Sequence, residues 1–237
     1  MPGALIDEAP ARALAVYAHP DDPEVSCGGT LARWAGEGTE VHVLICAKGE
    51  KGSDDPSVKP AELARRRGGE MRRAAGVLGL AERSQLAIAD GELENTVELR
   101  HHIVAAVRRV RPEVVLCPDP TAVFFGDSYF NHRDHRVTGW ATLDAVAPAA
   151  ANPHYFPGTG APHQVRTVLL SASLDPDAWV DISATVEIKI AALACHESQL
   201  GAAGEAFRTF VRERGAEQGE HAGVPYAEGF RRLNLAG

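Results

Sequence analysis

The sequence predicts an α/β protein with a doubly wound, mostly parallel sheet that carries helices on both faces. Two observations lead to this prediction. Five short apolar runs are typical of strands in such a sheet, where both faces are covered. Segments of helical length alternate with these runs, and this alternation implies right-handed β-α-β crossovers within one sheet.

The first part of the chain contains two strand–helix pairs. The apolar run at 13–18 is the first strand, and the glycine-rich segment at 28–37 is the helix that follows it. Residues 41–46 repeat the strand pattern. After a polar, glycine-rich loop, a helix is predicted over 61–78, and Gly79 ends it because glycine readily adopts the left-handed conformation found just after helices.

The middle of the chain repeats the alternation. A short third strand is predicted at 85–88, and Thr96 is a plausible N-cap for the next helix. That helix presents an apolar stripe and has ended by Pro112. The stripe consists of Leu99, Ile103, Ala106, Val107 and Val110. The apolar run at 114–117 is the fourth strand.

The last part of the chain has a weaker pattern. A helix is predicted over 134–146, a surface loop over 148–162 and a fifth strand over 167–170. A further helix is predicted over 183–199, followed by a polar tail. We expect the segment after this helix to be too short for an independent domain.

The predicted strand order brings two polar clusters together. With the usual order 3-2-1-4-5, the first and fourth strands are neighbours at the point where the chain reverses its direction of winding, and ligands bind at that point. Residues 19–24 follow the first strand and residues 132–135 lie beyond the fourth strand. We therefore expect the two clusters to form one site.

Composition excludes several classes of function. The chain has 237 residues, 45% of them hydrophobic, which suffices for one large domain or two small ones. A net charge of −8 argues against a general binder of nucleic acids or anionic membranes. No apolar run approaches the length of a membrane span, and no basic segment precedes an apolar block near the N-terminus, so a cytoplasmic location is expected.

Two residue types have simple expected roles. The four cysteines show no C-x-x-C pair, and two of them lie in apolar runs, so packed thiols are expected rather than disulfides. Arg65, Arg66 and Arg67 form the only dense basic run. Successive residues on a helix point in different directions, which favours a solvated face.

The two polar clusters contain the ligands of a hydrolytic metal site. Zinc in such sites is commonly bound by three His, Asp or Glu side chains, with water in the open position, and His19, Asp22 and His135 would supply this set. Asp21 is then free to act as general base on the bound water. The alternative is that Asp21 and Asp22 cap a helix, which would not explain the histidines.

The second cluster offers a group for the transition state. His132 lies three residues before His135 and, if protonated, could stabilise the oxyanion that forms when water attacks a carbonyl. Asp134 is expected to orient His132 and to raise the pKa of its imidazole.

Two motifs resemble the LmbE/PIG-L family of metal-dependent N-deacetylases. These are A-H-P-D-D-P-E-V-S-C-G-G-T-L at 18–31 and N-H-R-D-H at 131–135, and supporting pieces extend the resemblance over roughly 13–200. It implies a Rossmann-like fold and zinc-dependent removal of acetyl from an N-acetylglucosamine-type amide. It also implies a single domain over 1–237, with its core at about 13–200 and a C-terminal extension at 201–237.

The resemblance assigns roles residue by residue. It places the metal ligands at His19, Asp22 and His135, the base at Asp21 and the oxyanion-stabilising imidazole at His132. By similar matching, Arg67 and Asp90 would hold sugar hydroxyls. Their alternative roles are a helix ion pair between Arg67 and Glu70, and a turn position for Asp90 before Gly91. His196 is as consistent with a buried, hydrogen-bonded histidine as with a role in catalysis or assembly.

The sequence departs from one branch of the family. Mycothiol-pathway members carry a tyrosine two residues before the first histidine of the second motif, and this chain has Phe130 there. A tyrosine-assisted mechanism and mycothiol substrates are therefore disfavoured. The aromatic residues of this loop could stack against a sugar or pack the loop onto the body. They are Phe124, Phe125, Tyr129 and Phe130.

The functional prediction is thus a zinc-dependent N-deacetylase that acts on a small N-acylated amino sugar, without nucleic-acid or membrane partners. The metal could also be Fe²⁺, because His and carboxylate ligands accept several divalent ions. The resemblance suggests a homo-oligomer. One alternative is an amidase of larger conjugates, such as thiol conjugates or antibiotics. Another is a metal-binding module without catalytic activity.

Overall fold

A computed structural model describes residues 3–201 and 204–235. Its central sheet contains strands β1 (Ala4–Leu5), β2 (Arg12–Tyr17), β3 (Glu40–Ala47), β4 (Glu82–Ile88), β5 (Val114–Pro118), β8 (Thr167–Ser171), β9 (Ala178–Asp181) and β10 (Ala227–Asn234). Strands β6 (Phe124–Phe125) and β7 (Tyr129–Phe130) form a separate hairpin. The helices are α1 (Asp22–Gly36), α2 (Pro60–Leu78), α3 (Val97–Val110), α4 (Arg133–Asp144), α5 (Val186–Leu193), α6 (Glu197–Leu200) and α7 (Gly204–Ala222), and a π-helical segment (Ala145–Ala150) continues α4.

The predicted topology is confirmed. The sheet order is β1-β9-β10-β8-β5-β2-β3-β4, so the five predicted strands lie in the order 3-2-1-4-5. Strands β2, β3, β4, β5 and β8 pair in parallel. The first and fourth predicted strands, β2 and β5, are therefore neighbours.

The first predicted strand is buried on both faces, as expected. Side chains alternate across a strand. Ala13, Ala15 and Tyr17 accordingly pack in the core beneath α1, α2 and α5, whereas Leu14 and Val16 pack in the core beneath α3 and α4.

Local chain chemistry sets the ends of two predicted helices. Thr96 caps α3, because its hydroxyl accepts the Leu99 backbone N–H at 3.1 Å. Gly79 follows α2 with a φ of 74°, the left-handed conformation that favours glycine.

Two predicted helices have different bounds. Helix α1 begins at Asp22, six residues before the predicted start, and is kinked at Cys27, where φ is −146° and ψ is 22°. The segment predicted as one helix over 183–199 is two helices, α5 and α6, separated by residues 194–196.

The prediction of a polar tail is wrong. After residue 200 the chain forms α7 and β10, and β10 lies antiparallel between β8 and β9. Its Phe230 is fully buried. Strand β10 contains several charged residues, so it does not form an apolar run in the sequence. One of these charged residues, Glu228, is nevertheless buried.

The cysteine prediction is confirmed, since all four thiols are free and Cys27, Cys46 and Cys117 are buried. Within the described residues, none of the helices has both the length and the apolar character needed to cross a membrane.

Candidate active site

The two polar clusters meet at the carboxyl ends of neighbouring strands. His19 follows β2, and Asp22 begins α1 three residues later. His132 is the N-cap residue of α4, which places His135 in the first turn of that helix. The predicted convergence of the clusters is therefore present in the structure.

Three donor atoms face one another within this cluster. His19 Nδ1 lies 3.2 Å from His135 Nε2 and 3.5 Å from an Asp22 carboxylate oxygen, and His135 Nε2 lies 3.2 Å from the other Asp22 oxygen. Bond lengths of 2.0–2.1 Å in a tetrahedral zinc site place ligand atoms about 3.3 Å apart. The three predicted ligands fit a metal ion of this size.

Outer hydrogen bonds orient both imidazoles toward the donor cluster. His19 Nε2 donates to Asp90 Oδ1 at 3.1 Å, which leaves Nδ1 free as a ligand. His135 Nδ1 donates to Asn131 Oδ1 at 2.9 Å, which leaves Nε2 free. Partners of this kind select the tautomer and the ring orientation of metal-binding histidines.

The electrostatics of the cluster favour a cation. Burial lowers the pKa of His19, but the surrounding Asp22, Asp134 and Asp90 carboxylates raise it to about 12. Burial raises the pKa of Asp22, and the two histidines lower it well below its usual range. The field that holds protons on buried imidazoles equally favours a divalent ion, so the donor set and its charge both fit a metal.

Asp21 lies beside the donor cluster and is not among its donors. It occupies the N-cap position of α1, yet its side chain makes no capping hydrogen bond. Its Oδ1 instead accepts from Arg67 Nη2 at 2.5 Å. Asp22 also does not cap α1, since one of its oxygens accepts the His19 backbone N–H at 2.7 Å. The capping alternative therefore does not explain the carboxylates.

Arg67 is buried, so the expectation of a solvated face fails at this residue. Its guanidinium bridges Asp21 and the Gly49 carbonyl oxygen, which lies 2.8 Å from Nη1. The proposed ion pair with Glu70 is also wrong for Arg67, because Arg66 makes that contact at 3.1 Å. Arg67 of α2 therefore contacts Asp21, the candidate base, although the two residues are 46 positions apart in the chain.

The expectation that Asp134 orients His132 stays a prediction, and the contact that the structure shows between the two residues is made by the Asp134 backbone. Asp134 reaches His132 through its backbone N–H, which donates to His132 Nδ1 at 3.2 Å. Its carboxylate accepts from the Gly91 N–H at 2.7 Å. Burial and the nearby charge of His19 lower the pKa of His132, against a smaller opposing effect of Asp134. A neutral His132 that accepts at Nδ1 carries its proton on Nε2.

A buried ion pair that sequence reasoning missed lies behind α1. Lys189 Nζ contacts Glu228 Oε1 at 2.5 Å, and the Glu228 carboxylate accepts the backbone N–H groups of Gly29 and Thr30 at 3.0 and 2.7 Å. Both N–H groups lie shortly after the kink of α1 at Cys27. A single lysine in the apolar sequence of α5 is the one local sign of a buried partner.

His196 is buried behind the site. Its Nε2 lies 3.4 Å from a Glu24 carboxylate oxygen, and both side chains are almost fully enclosed. This contact connects the α5–α6 break to the first turn of α1. His196 therefore packs against the first turn of α1, the helix that begins with Asp22.

The aromatic loop does not pack onto the body. Phe124, Tyr129 and Phe130 are each more than half exposed on the β6–β7 hairpin. Phe125 and Tyr129 line a cavity of about 460 Å³ that also borders Asp22 and His135. We refer to this space as the side cavity.

The sequence matches the family described as PIG-L: GlcNAc-PI de-N-acetylase over residues 14–146. It is 34% identical over 225 residues to the diacetylchitobiose deacetylase of Thermococcus kodakarensis, covering 93% of this chain and 82% of that protein. It is 29% identical over 247 residues to the 1D-myo-inositol 2-acetamido-2-deoxy-alpha-D-glucopyranoside deacetylase of Rhodococcus jostii, covering 80% and 82%.

Solved structures show the same likeness. The fold matches the N,N'-diacetylchitobiose deacetylase of Pyrococcus horikoshii with a TM-score of 0.87 and 29% identity, covering 95% of this chain and 84% of that chain. It also matches the 4-carboxy-2-hydroxymuconate hydratase of Pseudomonas putida with a TM-score of 0.78 and 25% identity, covering 95% and 97%.

Proposed function

The chain belongs to the PIG-L (LmbE) family of N-deacetylases, and from this premise we propose that it removes the acetyl group of an N-acetylglucosamine-type amide with metal-activated water. One observation carries the proposal. Asp21 lies next to three facing donor groups without joining them, and a site that only binds a metal has no need of such a carboxylate.

The proposed ligands are His19, Asp22 and His135. A divalent metal bound there would polarise the amide carbonyl and lower the pKa of a water molecule toward about 7. Zinc is our proposal for this metal, and Fe²⁺ is the alternative that the same ligand types accept.

The chain's own residues supply the proton transfers. Asp21 accepts the proton of the attacking water and later delivers it to the leaving amine nitrogen. Arg67 holds the Asp21 carboxylate in place through the contact at Oδ1. His132 stabilises the oxyanion with its Nε2–H, which a neutral imidazole can donate, so a raised pKa is not required. Asp134 acts indirectly, since its backbone N–H fixes the His132 tautomer.

We retain the proposal that Arg67 and Asp90 contribute to sugar binding, with a second role for each. Asp90 already accepts from His19, and Arg67 already donates to Asp21. A sugar hydroxyl bound by Asp90 would therefore also affect the orientation of the metal ligand His19. A sugar hydroxyl bound by Arg67 would likewise affect the orientation of the base Asp21.

A larger amide is the second candidate substrate, because the side cavity extends well beyond the space that an acetyl group needs. The similar hydratase is a reminder that this fold does not by itself determine the reaction. The assay must therefore measure release of amine directly.

The test compares Asp21→Asn with His135→Ala. Asp21→Asn should keep bound metal and lose about 10²–10⁴-fold in kcat, the usual contribution of a general base. His135→Ala should lose the metal. Metal content is measured after dialysis, and amine release is measured with N-acetylglucosamine and N,N'-diacetylchitobiose, with and without a chelator. Asp54→Asn, at an exposed loop position, is the matched control.

Two results would contradict the proposal. Near-normal turnover by Asp21→Asn would remove the base assignment. Full metal occupancy without amine release across a broad panel of amides would favour a metal-binding module. A cytoplasmic location and a homo-oligomeric state stay predictions.

A further inference from the structure

A short segment behind the site contacts the elements that carry the site residues. It consists of residues 196–199, His-Glu-Ser-Gln, and we call it the α6 segment, because it contains the N-cap residue and the first turn of α6. Its first residue packs against α1. Its last two residues, Ser198 and Gln199, contact α2 and the loop between β3 and α2. These four residues have no role in the proposed function.

Ser198 attaches the α6 segment to α2. Its backbone N–H donates to Glu70 Oε1 at 2.9 Å, and its hydroxyl donates to Glu70 Oε2. Glu70 is buried, and hydrogen bonds to a charged acceptor are stronger than neutral ones. Glu70 lies three residues after Arg67, about one turn further along the same face of α2. The α6 segment is therefore held next to the turn of α2 that carries Arg67.

Gln199 reaches from this attachment to the loop. Its Nε2 donates to the Gly52 carbonyl oxygen at 3.3 Å, and the Gly52 N–H donates to the Gly49 carbonyl oxygen at 3.4 Å. The same Gly49 oxygen accepts from Arg67 Nη1, and Arg67 Nη2 donates to Asp21. Four consecutive hydrogen bonds thus connect Gln199 to the candidate base.

Gly52 is enclosed between Gln199 and Arg67. A Cβ atom at this position would lie 2.8 Å from Gln199 Oε1 and 2.7 Å from Arg67 Nη1, which is closer than van der Waals contact. The loop therefore approaches both side chains with its bare backbone. Because groups packed this closely leave no room to absorb a shift, a displacement of the Gln199 side chain would reach the guanidinium through the loop.

We propose, resting on the proposed function, that Gln199 is a positioning residue for the base. It holds the loop at 49–52 so that the Gly49 carbonyl orients Arg67, and Arg67 then holds the Asp21 carboxylate toward the attacking water. Each terminal nitrogen of Arg67 contacts one of these two partners, so a displaced Gly49 carbonyl leaves the guanidinium held by Asp21 alone. Gln199 acts through Arg67 and does not contact the reacting atoms.

The test uses Gln199→Met, which keeps the length of the side chain and removes the amide. A small misplacement of a catalytic group is costly, so kcat should fall about tenfold at unchanged metal content. Gln199 is partly exposed, and the melting temperature should therefore change by less than about 4 °C. Gln164→Met, at an exposed position before β8, is the matched control and should keep the wild-type kcat.

A double variant separates positioning from a general structural role. In Arg67→Lys the connection is already broken, because lysine cannot contact both Asp21 and the Gly49 carbonyl. Adding Gln199→Met to Arg67→Lys should then lower kcat by less than about twofold, whereas two independent effects would multiply. An unchanged kcat in Gln199→Met, or a loss of about tenfold in both backgrounds, would overturn the inference.

Hydrogen exchange tests the connection without turnover. Gln199→Met should speed exchange of the Gly52 amide several-fold, because the loop that holds this N–H against Gly49 has lost its attachment, and Gln164→Met should not. Unchanged exchange at Gly52 in Gln199→Met would refute the connection even in an active enzyme. No amine release by the wild type would instead refute the proposed function, while faster exchange would still support the connection from Gln199 to Arg67.

Discussion

Replacing Glu228 by glutamine should destabilise the protein strongly, because it leaves a buried lysine without its counter-charge. Glu228 and Lys189 have side-chain exposures of only 5% and 8%. Breaking such a pair on one side costs about 3–5 kcal/mol. Glutamine also has one acceptor oxygen where the carboxylate has two, so one of the Gly29 and Thr30 N–H groups loses its partner, at about 1–3 kcal/mol more.

The expected loss is large against the total stability. Folded proteins are stable by about 5–15 kcal/mol, so Glu228→Gln should remove about a quarter or more of this free energy. For a chain of this size the melting temperature falls by about 2–4 °C for each kcal/mol, which predicts a decrease of at least about 8 °C. The same change should loosen α1 after its kink at Cys27, since Glu228 binds the N–H groups there.

Urea unfolding followed by circular dichroism measures this loss. All variants are compared in the presence of a chelator, because bound metal would add its own stabilisation. The double variant Glu228→Gln with Lys189→Met should recover stability relative to Glu228→Gln alone, since no buried charge is then unpaired. Glu205→Gln, at an exposed position on α7, should change stability by less than about 0.5 kcal/mol. A loss below about 1 kcal/mol in Glu228→Gln, or a double variant no more stable than the single one, would refute the reasoning.

Two further changes test the site and the core. Arg67→Lys keeps the charge but cannot reach both Asp21 and the Gly49 carbonyl with a planar fork, so kcat should fall about 10²-fold, and loss of the proposed sugar contact should also raise KM. A rise in KM at constant kcat would contradict the positioning role and favour sugar binding alone. In the native protein at pH 8, only Cys195 of the four thiols should react with a thiol reagent, because the other three are buried. All four should react after unfolding. Fast labelling of more than one thiol in the native protein would contradict the observed burial. Burial raises the pKa of each of these three thiols, which are Cys27, Cys46 (to about 12) and Cys117.

Local patterns were sufficient for the centre of the fold. The apolar runs of β2, β3, β5 and β8, together with the caps of the helices between them, predict the parallel strands and their order. The same order predicts that His19 and His135 approach each other, because each follows one of two neighbouring strands. These features depend on periodicity and chain order, both of which are present in a single sequence.

The partners of the charged residues were decided only by the tertiary structure. Arg67 pairs with Asp21 across 46 residues and Lys189 with Glu228 across 39, and such contacts leave no periodic trace in the sequence. Burial of Glu228 also explains why β10 reads as a polar tail, since a charged residue enters a sheet only when a partner elsewhere compensates it. The sequence by itself thus indicated five of the eight strands of the central sheet, whose order follows the usual winding of such folds, and the predicted metal ligands. The tertiary structure decided which charges are paired, because each pair joins residues that are distant in the chain.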